Sequence, residues 1–159
     1  STLIARSWRR GDIISLDGSP KHFSTGIAVS SMIVTESVGD RWQCRVSNGP
    51  VDVIADTTSD HGGTGSGIRP HELLEAAFGT CLNMTVRMRA AERDVGPVSV
   101  ETTVDLDRSG DPPRFTYAID VTGVDEQTVA ELRATATRCP VRETLSGDLA
   151  FERRPELLD

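Results

Sequence analysis

A long apolar helix is predicted to begin in the stretch Pro70-His71-Glu72-Leu73-Leu74-Glu75-Ala76-Ala77-Phe78-Gly79-Thr80-Cys81. Proline is tolerated at the first helical position, because the N–H that it lacks would have no partner there. Mostly apolar residues recur at steps of three and four, which predicts a core face. That face comprises Leu74, Ala77, Phe78, Cys81, Met84, Thr85 and Met88. No charge lies between Glu75 and Arg87, so we expect the first half of this central helix to be buried nearly all round.

Extended segments are predicted on both sides of this helix. Before it, short apolar or alternating runs predict a β-meander with a turn at Asn48-Gly49-Pro50. The runs are Ile27-Ala28-Val29, Met32-Ile33-Val34, Trp42 to Val46 and Val51 to Ala55. After the helix, residues 98–106 and 115–121 alternate about the loop 108–113, which predicts an antiparallel hairpin.

A second helix and a last strand complete the predicted fold. Asp125 is a suitable N-cap, with Val124 placed to contact Val129, and a final strand is expected around Leu149 to Glu152. The sequence therefore predicts an α+β fold: an antiparallel β-meander, a long central helix, a hairpin, a second helix and a final strand. We assign residues 1–24 to an N-terminal extension or first strands, and residues 25–159 to a single domain.

Composition limits the class of protein. A chain of 159 residues with 37% hydrophobic and 26% charged residues fits one globular domain. The net charge of −7, from 24 acidic and 17 basic residues, argues against a nucleic-acid partner, which needs a concentrated basic surface. The apolar runs are too short to span a bilayer, and the first residues lack the pattern of a secretory signal. We therefore expect a cytoplasmic location and no membrane partner.

Two of the three cysteines continue apolar helix stripes. Cys81 lies in the central helix, and Cys139 follows Val129, Leu132 and Ala136 in the second one. Pro140 disfavours helical geometry at Cys139, which should lie at the helix C-terminus. A free cysteine commonly behaves as a small hydrophobe, and Cys44 fits a sheet core in this way. A redox dithiol of Cys81 and Cys139 is nevertheless the leading functional hypothesis, because an odd number of cysteines argues against a structural disulfide framework.

Two motifs of this chain, in order, resemble the OsmC/Ohr superfamily of peroxide-reducing thiol proteins. Members carry a Gly-rich loop, then Pro-x-Glu-Leu-Leu-x-Ala-Ala-x-Gly-x-Cys and, much later, Cys-Pro-Val. Here the loop occupies residues 57–69, the first motif ends at Cys81, and the second is Cys139-Pro140-Val141. The order and type of elements agree across roughly residues 25 to 153.

The resemblance implies a thiol peroxidase. Cys81 would attack an organic hydroperoxide, and Cys139 would resolve the product to a disulfide that an external dithiol, of the lipoyl type, reduces. It also implies an intertwined homodimer with the central helices of both subunits packed together. The apolar setting of Cys81 predicts a peroxide with a hydrocarbon body. No cofactor or metal is expected, since His22 and His61 have no metal-ligand spacing with a cysteine.

The thiolate at Cys81 requires a supporting cation, because burial raises the pKa of a thiol. The family supplies an arginine from its N-terminal strands, oriented by a glutamate at the start of the central helix. In the Ohr branch that glutamate directly follows the proline, whereas this chain has His71 there and Glu72 one residue on. Glu72 is the candidate for the glutamate that orients the arginine. It could equally do no more than stabilise the positively polarised N-terminus of the helix. The possible thiolate partners are Arg6, Arg9, Arg10, Arg41 and Arg45.

Two other functions stay open at this point. The chain could be a catalytically inactive small-molecule-binding protein on the same scaffold, or a thiol redox sensor. The Gly-rich loop 57–69 could be mobile or could line a site, and it lacks the motif of a phosphate-binding loop. Arg138 and Arg142, beside Cys139, could favour its thiolate or simply suit a helix C-terminus.

Overall fold

The computed structural model describes residues 32–39 and 41–154. An antiparallel sheet comes first, in the order β1 (Val34–Ser37), β2 (Cys44–Ser47) and β3 (Asp52–Ala55). The predicted turn joins β2 to β3, where the Asn48 N–H donates to the Val51 carbonyl at 3.2 Å and Gly49 has a φ of 95°. The predicted meander is thus confirmed for these strands, whereas the run Ile27-Ala28-Val29 lies outside the described residues.

The Gly-rich segment after β3 is a closed loop built on Asp56. The Ile68 N–H donates to the Ile54 carbonyl at 3.0 Å, which brings the end of the loop back to β3. The Asp56 side chain, in a residue only 3% exposed, accepts hydrogen bonds from the N–H groups of Thr57 at 2.8 Å and Thr64 at 3.0 Å. The hydroxyl of Thr64 donates to the same carboxylate and is the largest cause that lowers the pKa of Asp56 to about 2.

The Asp56 carboxylate is expected to make loop stability depend on pH. Because its pKa is lower in the folded than in the unfolded chain, its contribution is full above about pH 4 and is lost as the pH falls toward about 2. Asp56→Asn replaces one carboxylate oxygen, which accepts hydrogen bonds, by an NH₂ group that donates them, and this group would face the Thr64 N–H. Urea midpoints of the two proteins should differ at neutral pH and converge between about pH 4 and 2. A difference that is independent of pH would contradict this role.

The central helix α1 (Pro70–Glu92) begins at Pro70, as predicted, but buries a different face. Its buried residues are Phe78, Gly79, Leu82, Val86 and Ala90. Of the predicted core face, Phe78 is buried and Cys81 and Thr85 are half-buried. Leu74, Ala77, Met84 and Met88 are exposed, so the rest of that face and the prediction of burial nearly all round were wrong within this single chain. Among the described residues, those that pack with the core cluster contact the Leu82 side of α1. No helix in the described ranges combines the length and apolar character needed to cross a membrane.

The predicted hairpin follows as β4 (Ser99–Asp107) and β5 (Arg114–Thr122), in a register that pairs Val100 with Val121. Side chains of α1 hold β4 by its backbone. Glu75 Oε1 accepts from the Leu106 N–H at 2.7 Å, and Asn83 Nδ2 donates to the Val100 carbonyl at 2.7 Å. A Cβ on Gly79 would lie 3.2 Å from Val104 Cγ2, so the absence of a side chain there allows the close approach of helix to strand.

The region after β5 matches the predicted fold at its first helix and differs from it further on. Asp125 caps α2 (Glu126–Thr135) by accepting the Thr128 N–H at 3.0 Å, as expected. A 3-10 turn (Ala136–Arg138) follows, and Pro140 then begins a further helix, α3 (Pro140–Ser146), that the sequence did not predict. The final strand predicted around Leu149 to Glu152 does not form in the described chain, where residues 147–154 are irregular.

Candidate functional site

The structure brings Cys81 and Cys139 together. Cys81 lies in the middle of α1, and Cys139 lies between the 3-10 turn and α3, with an extended backbone at φ −64° and ψ 121°. Cys81 packs against the buried cluster that contains Cys139, and its side chain is near enough to raise the pKa of the Cys139 thiol. Two thiols 58 residues apart in sequence are therefore direct neighbours, as the dithiol hypothesis requires.

Cys139 occupies the buried side of this pair. It is 0% exposed and belongs to the same core cluster as Leu132 and Ala136. Burial first, and then the hydrogen bond with Cys81, raise the pKa of the Cys139 thiol above its ordinary value. Backbone N–H groups of Arg142 and Val141 oppose that shift. The net direction favours the protonated thiol of Cys139.

Cys81 occupies the outer side of the pair. It is half-buried, and it lies where the buried stripe of α1 meets an exposed apolar face. At about 100° per residue, Leu74, Ala77, Cys81, Met84 and Met88 fall within about 80° of one another around the helix axis. We call these five residues the apolar face of α1. A thiol on this face borders the core on one side and uncharged, exposed side chains on the other.

The predicted supporting residues do not meet Cys81 within the described chain. Arg41 Nη1 donates to the Gly62 carbonyl at 3.0 Å, which ties it to the Gly-rich loop. Arg45 pairs with Glu36 and, at 3.5 Å, with Asp52 across the first sheet. The candidates Arg6, Arg9 and Arg10 lie outside the described residues, as does His22.

Glu72 is bound to an arginine that sequence reasoning missed. One carboxylate oxygen accepts the Arg69 N–H at 2.7 Å, and the other accepts Arg69 Nε at 2.8 Å and pairs with Nη2 at 2.6 Å. The Arg69 side chain is the first cause that lowers the pKa of Glu72. This is the bonding of a helix cap, and the spacing of three residues was the signal in the sequence. The catalytic role of Glu72 stays a prediction.

Glu72 lies far from Cys81 along the same helix. Nine residues separate them, which is about 14 Å at about 1.5 Å per residue. Glu72 and Arg69 instead line a cleft of about 330 Å³ together with His61, His71 and the start of the Gly-rich loop. The loop thus lines a cleft at the N-terminus of α1, one of the two possibilities that its composition left open.

Other polar residues have local partners. The half-buried Cys44 donates through Sγ to the Trp42 carbonyl at 3.7 Å, at the start of β2. Arg142 Nη1 donates to the Thr137 carbonyl at 3.2 Å across the bend at Cys139. Asp56 was also missed by sequence reasoning, although an aspartate before a Ser/Thr/Gly-rich segment is typical of side chains that bond nearby backbone.

The fold and the thiol pair define an α+β protein with two neighbouring cysteines. A family model described as "OsmC-like protein" matches residues 63–152, which is more than half of the chain. The chain belongs to this family, as the resemblance of its motifs indicated. None of the curated proteins matches the sequence.

Solved structures support the same fold. An organic hydroperoxide resistance protein from Legionella pneumophila aligns with a TM-score of 0.54 and 20% identity, over 75% of this chain and 92% of that one. A putative osmotic stress induced and detoxification response protein from Psychrobacter arcticus gives 0.56 and 20%, over 74% and 91%. An organic hydroperoxide resistance protein from Elizabethkingia anophelis gives 0.54 and 16%, over 77% and 93%. The α+β fold is thereby confirmed.

Proposed function

We propose that this protein is a cysteine-based peroxidase that reduces organic hydroperoxides. The observation that carries the proposal is that Cys81 of α1 and Cys139, in the bend before α3, are neighbours. Membership of the OsmC-like family supports it, as do the names of structural neighbours that are organic hydroperoxide resistance proteins.

The reaction cycle needs only these two sulfurs and an external dithiol. The Cys81 thiolate attacks the peroxide, the O–O bond breaks, and the alkoxide takes a proton and leaves as the alcohol. The resulting sulfenic acid on Cys81 condenses with Cys139, which forms a disulfide and releases water. A dithiol then returns both cysteines to thiols and is itself oxidised to a disulfide.

The surroundings of Cys81 favour an apolar peroxide. Ala77, Met84 and Met88 flank it on the apolar face of α1, and none of them carries a charge. An uncharged, exposed surface beside the attacking sulfur suits the hydrocarbon body of an organic hydroperoxide.

A second copy of the chain packs on the apolar face of α1, and in this proposal the two subunits enclose Cys81 in an apolar cleft that small molecules enter. Leu74, Met84 and Met88 are 43%, 51% and 64% exposed, and contiguous exposed apolar side chains mark an association surface. Glu72 is about 14 Å from Cys81 in its own helix, so it reaches a thiolate only from the other subunit. The resemblance to OsmC/Ohr proteins, whose central helices pack together, supports a homodimer.

Peroxide consumption and thiol counting test the function together. Reduced protein mixed with cumene hydroperoxide should lose two of its three thiols rapidly, and should consume peroxide continuously when dithiothreitol is supplied. A small-molecule-binding protein would lose none. A redox sensor would form the disulfide without sustained turnover. Either outcome would overturn the peroxidase proposal.

A further inference from the structure

We infer that the external reductant attacks the Cys81 sulfur of the oxidised pair, so that Cys81 meets both the peroxide and the reductant. The inference rests on the proposed function, because it concerns the disulfide that the peroxidase cycle leaves. It begins from the unequal burial of the two cysteines, since Cys139 is 0% exposed and Cys81 is half-buried.

The two sulfurs of the disulfide differ in how easily a reductant can approach them. A thiolate attacks a disulfide sulfur from the side opposite the bond that breaks, and access determines which sulfur reacts. Attack on Cys139 would have to come from the side away from Cys81, and protein covers that sulfur on every side. Attack on Cys81 comes from the side away from Cys139, where α1 presents its apolar face. Association with a second copy keeps Cys139 covered, and in the proposed dimer the cleft between the subunits leaves Cys81 open to a small dithiol.

Two thiol–disulfide exchanges return the oxidised pair to thiols. A thiolate of the dithiol forms a bond to Cys81 Sγ, the Cys81–Cys139 bond breaks, and its electron pair stays on Cys139, which takes up a proton. The second thiolate of the reductant attacks the reductant sulfur of this mixed disulfide. Cys81 then leaves as a thiolate, ready for the next peroxide, and the reductant departs as a disulfide.

Access to the sulfurs and the quality of the leaving thiolate favour attack at different sulfurs of this disulfide. A thiol with a raised pKa leaves more slowly, and burial raises the pKa of Cys139. The leaving-group effect alone would favour attack on Cys139, with Cys81 departing. We infer that access outweighs it, because a buried sulfur cannot be attacked at all without movement of the core around Leu132 and Ala136.

The sulfur that the reductant attacks can be identified in an experiment without peroxide. Cys44→Ser protein is oxidised with diamide, mixed briefly with 2-mercaptoethanol, quenched at acid pH and digested with pepsin, and mass spectrometry locates the mercaptoethanol adduct. We expect the adduct on Cys81 to exceed that on Cys139 by about tenfold or more, because access determines which sulfur is attacked. The same protein treated in concentrated urea is the matched control, and it should carry the adduct on both cysteines.

Four results would overturn the inference. They are an adduct mainly or equally on Cys139 in the folded protein, no adduct in the folded protein, the same preference for Cys81 in urea, and no Cys81–Cys139 bond after diamide. The test is separate from that of the proposed function. A protein that consumes no peroxide but carries the adduct on Cys81 would lose the peroxidase proposal and keep this inference.

Discussion

Cys81→Ser is expected to abolish peroxide consumption, with a loss on the order of 10³-fold or more, as is usual when a nucleophile is removed. A serine hydroxyl holds its proton at neutral pH, whereas the attacking species is a thiolate. The measurement is the consumption of cumene hydroperoxide under supplied dithiothreitol. Folding should be unaffected, because serine is close to cysteine in size and Cys81 is only half-buried.

Two matched variants make this result specific. Cys139→Ser keeps a hydroxyl beside Cys81 and, without dithiothreitol, should consume about one equivalent of peroxide, after which Cys81 stays as sulfenic acid or is oxidised further. Cys44→Ser should retain wild-type turnover, since Cys44 bonds the Trp42 carbonyl and lies outside the pair. Unchanged turnover in Cys81→Ser, or equal losses in all three variants, would contradict the assigned roles.

Met84→Asp is expected to convert a dimer into monomers. Met84 is 51% exposed in the single chain, so the substitution leaves the core of each subunit intact. In the proposed dimer it places a carboxylate without a partner in an apolar interface, at a cost of about 3–5 kcal/mol per buried charge. The dissociation constant should therefore rise by about 100-fold or more, which sedimentation equilibrium can measure.

Ala134→Asp is the matched control for this prediction. It adds the same charge at an exposed position of α2, in a cleft that Arg89, Arg93 and Arg138 also line. It should leave the association state unchanged. A wild-type protein that is monomeric at micromolar concentration, or a Met84→Asp protein that remains a dimer, would overturn the proposal that the apolar face of α1 is an interface.

Hydrophobic spacing located α1, but it could not say which side of that helix packs within the chain. Every position between Glu75 and Arg87 is uncharged, so Leu82 and Met84 look equally suited to a core. The choice is made by distant residues. Val100, Ile119 and Leu132 cover the Leu82 side, and nothing in the local sequence records their position.

The C-terminal region also could not be predicted in full from local sequence. Pro140 signals a helix end by its effect on Cys139, but proline equally suits a first helical position, and here it serves both purposes. Leu149 and Phe151 alternate as a strand would, yet a strand exists only where a partner strand bonds it. Residues 147–154 have none within the described chain. The two motif cysteines could be singled out from the sequence, because the two motifs that carry them are local, and their catalytic roles stay predictions.

The bonds from α1 to the backbone of β4 have a consequence for assembly. A strand that is open along one edge can recruit another chain and aggregate. Glu75 and Asn83 occupy the Leu106 N–H and the Val100 carbonyl, so an incoming strand would first have to displace the central helix. In the described chain β5 pairs only with β4, which leaves the outer edge of β5 as the side of the hairpin where a further strand can add.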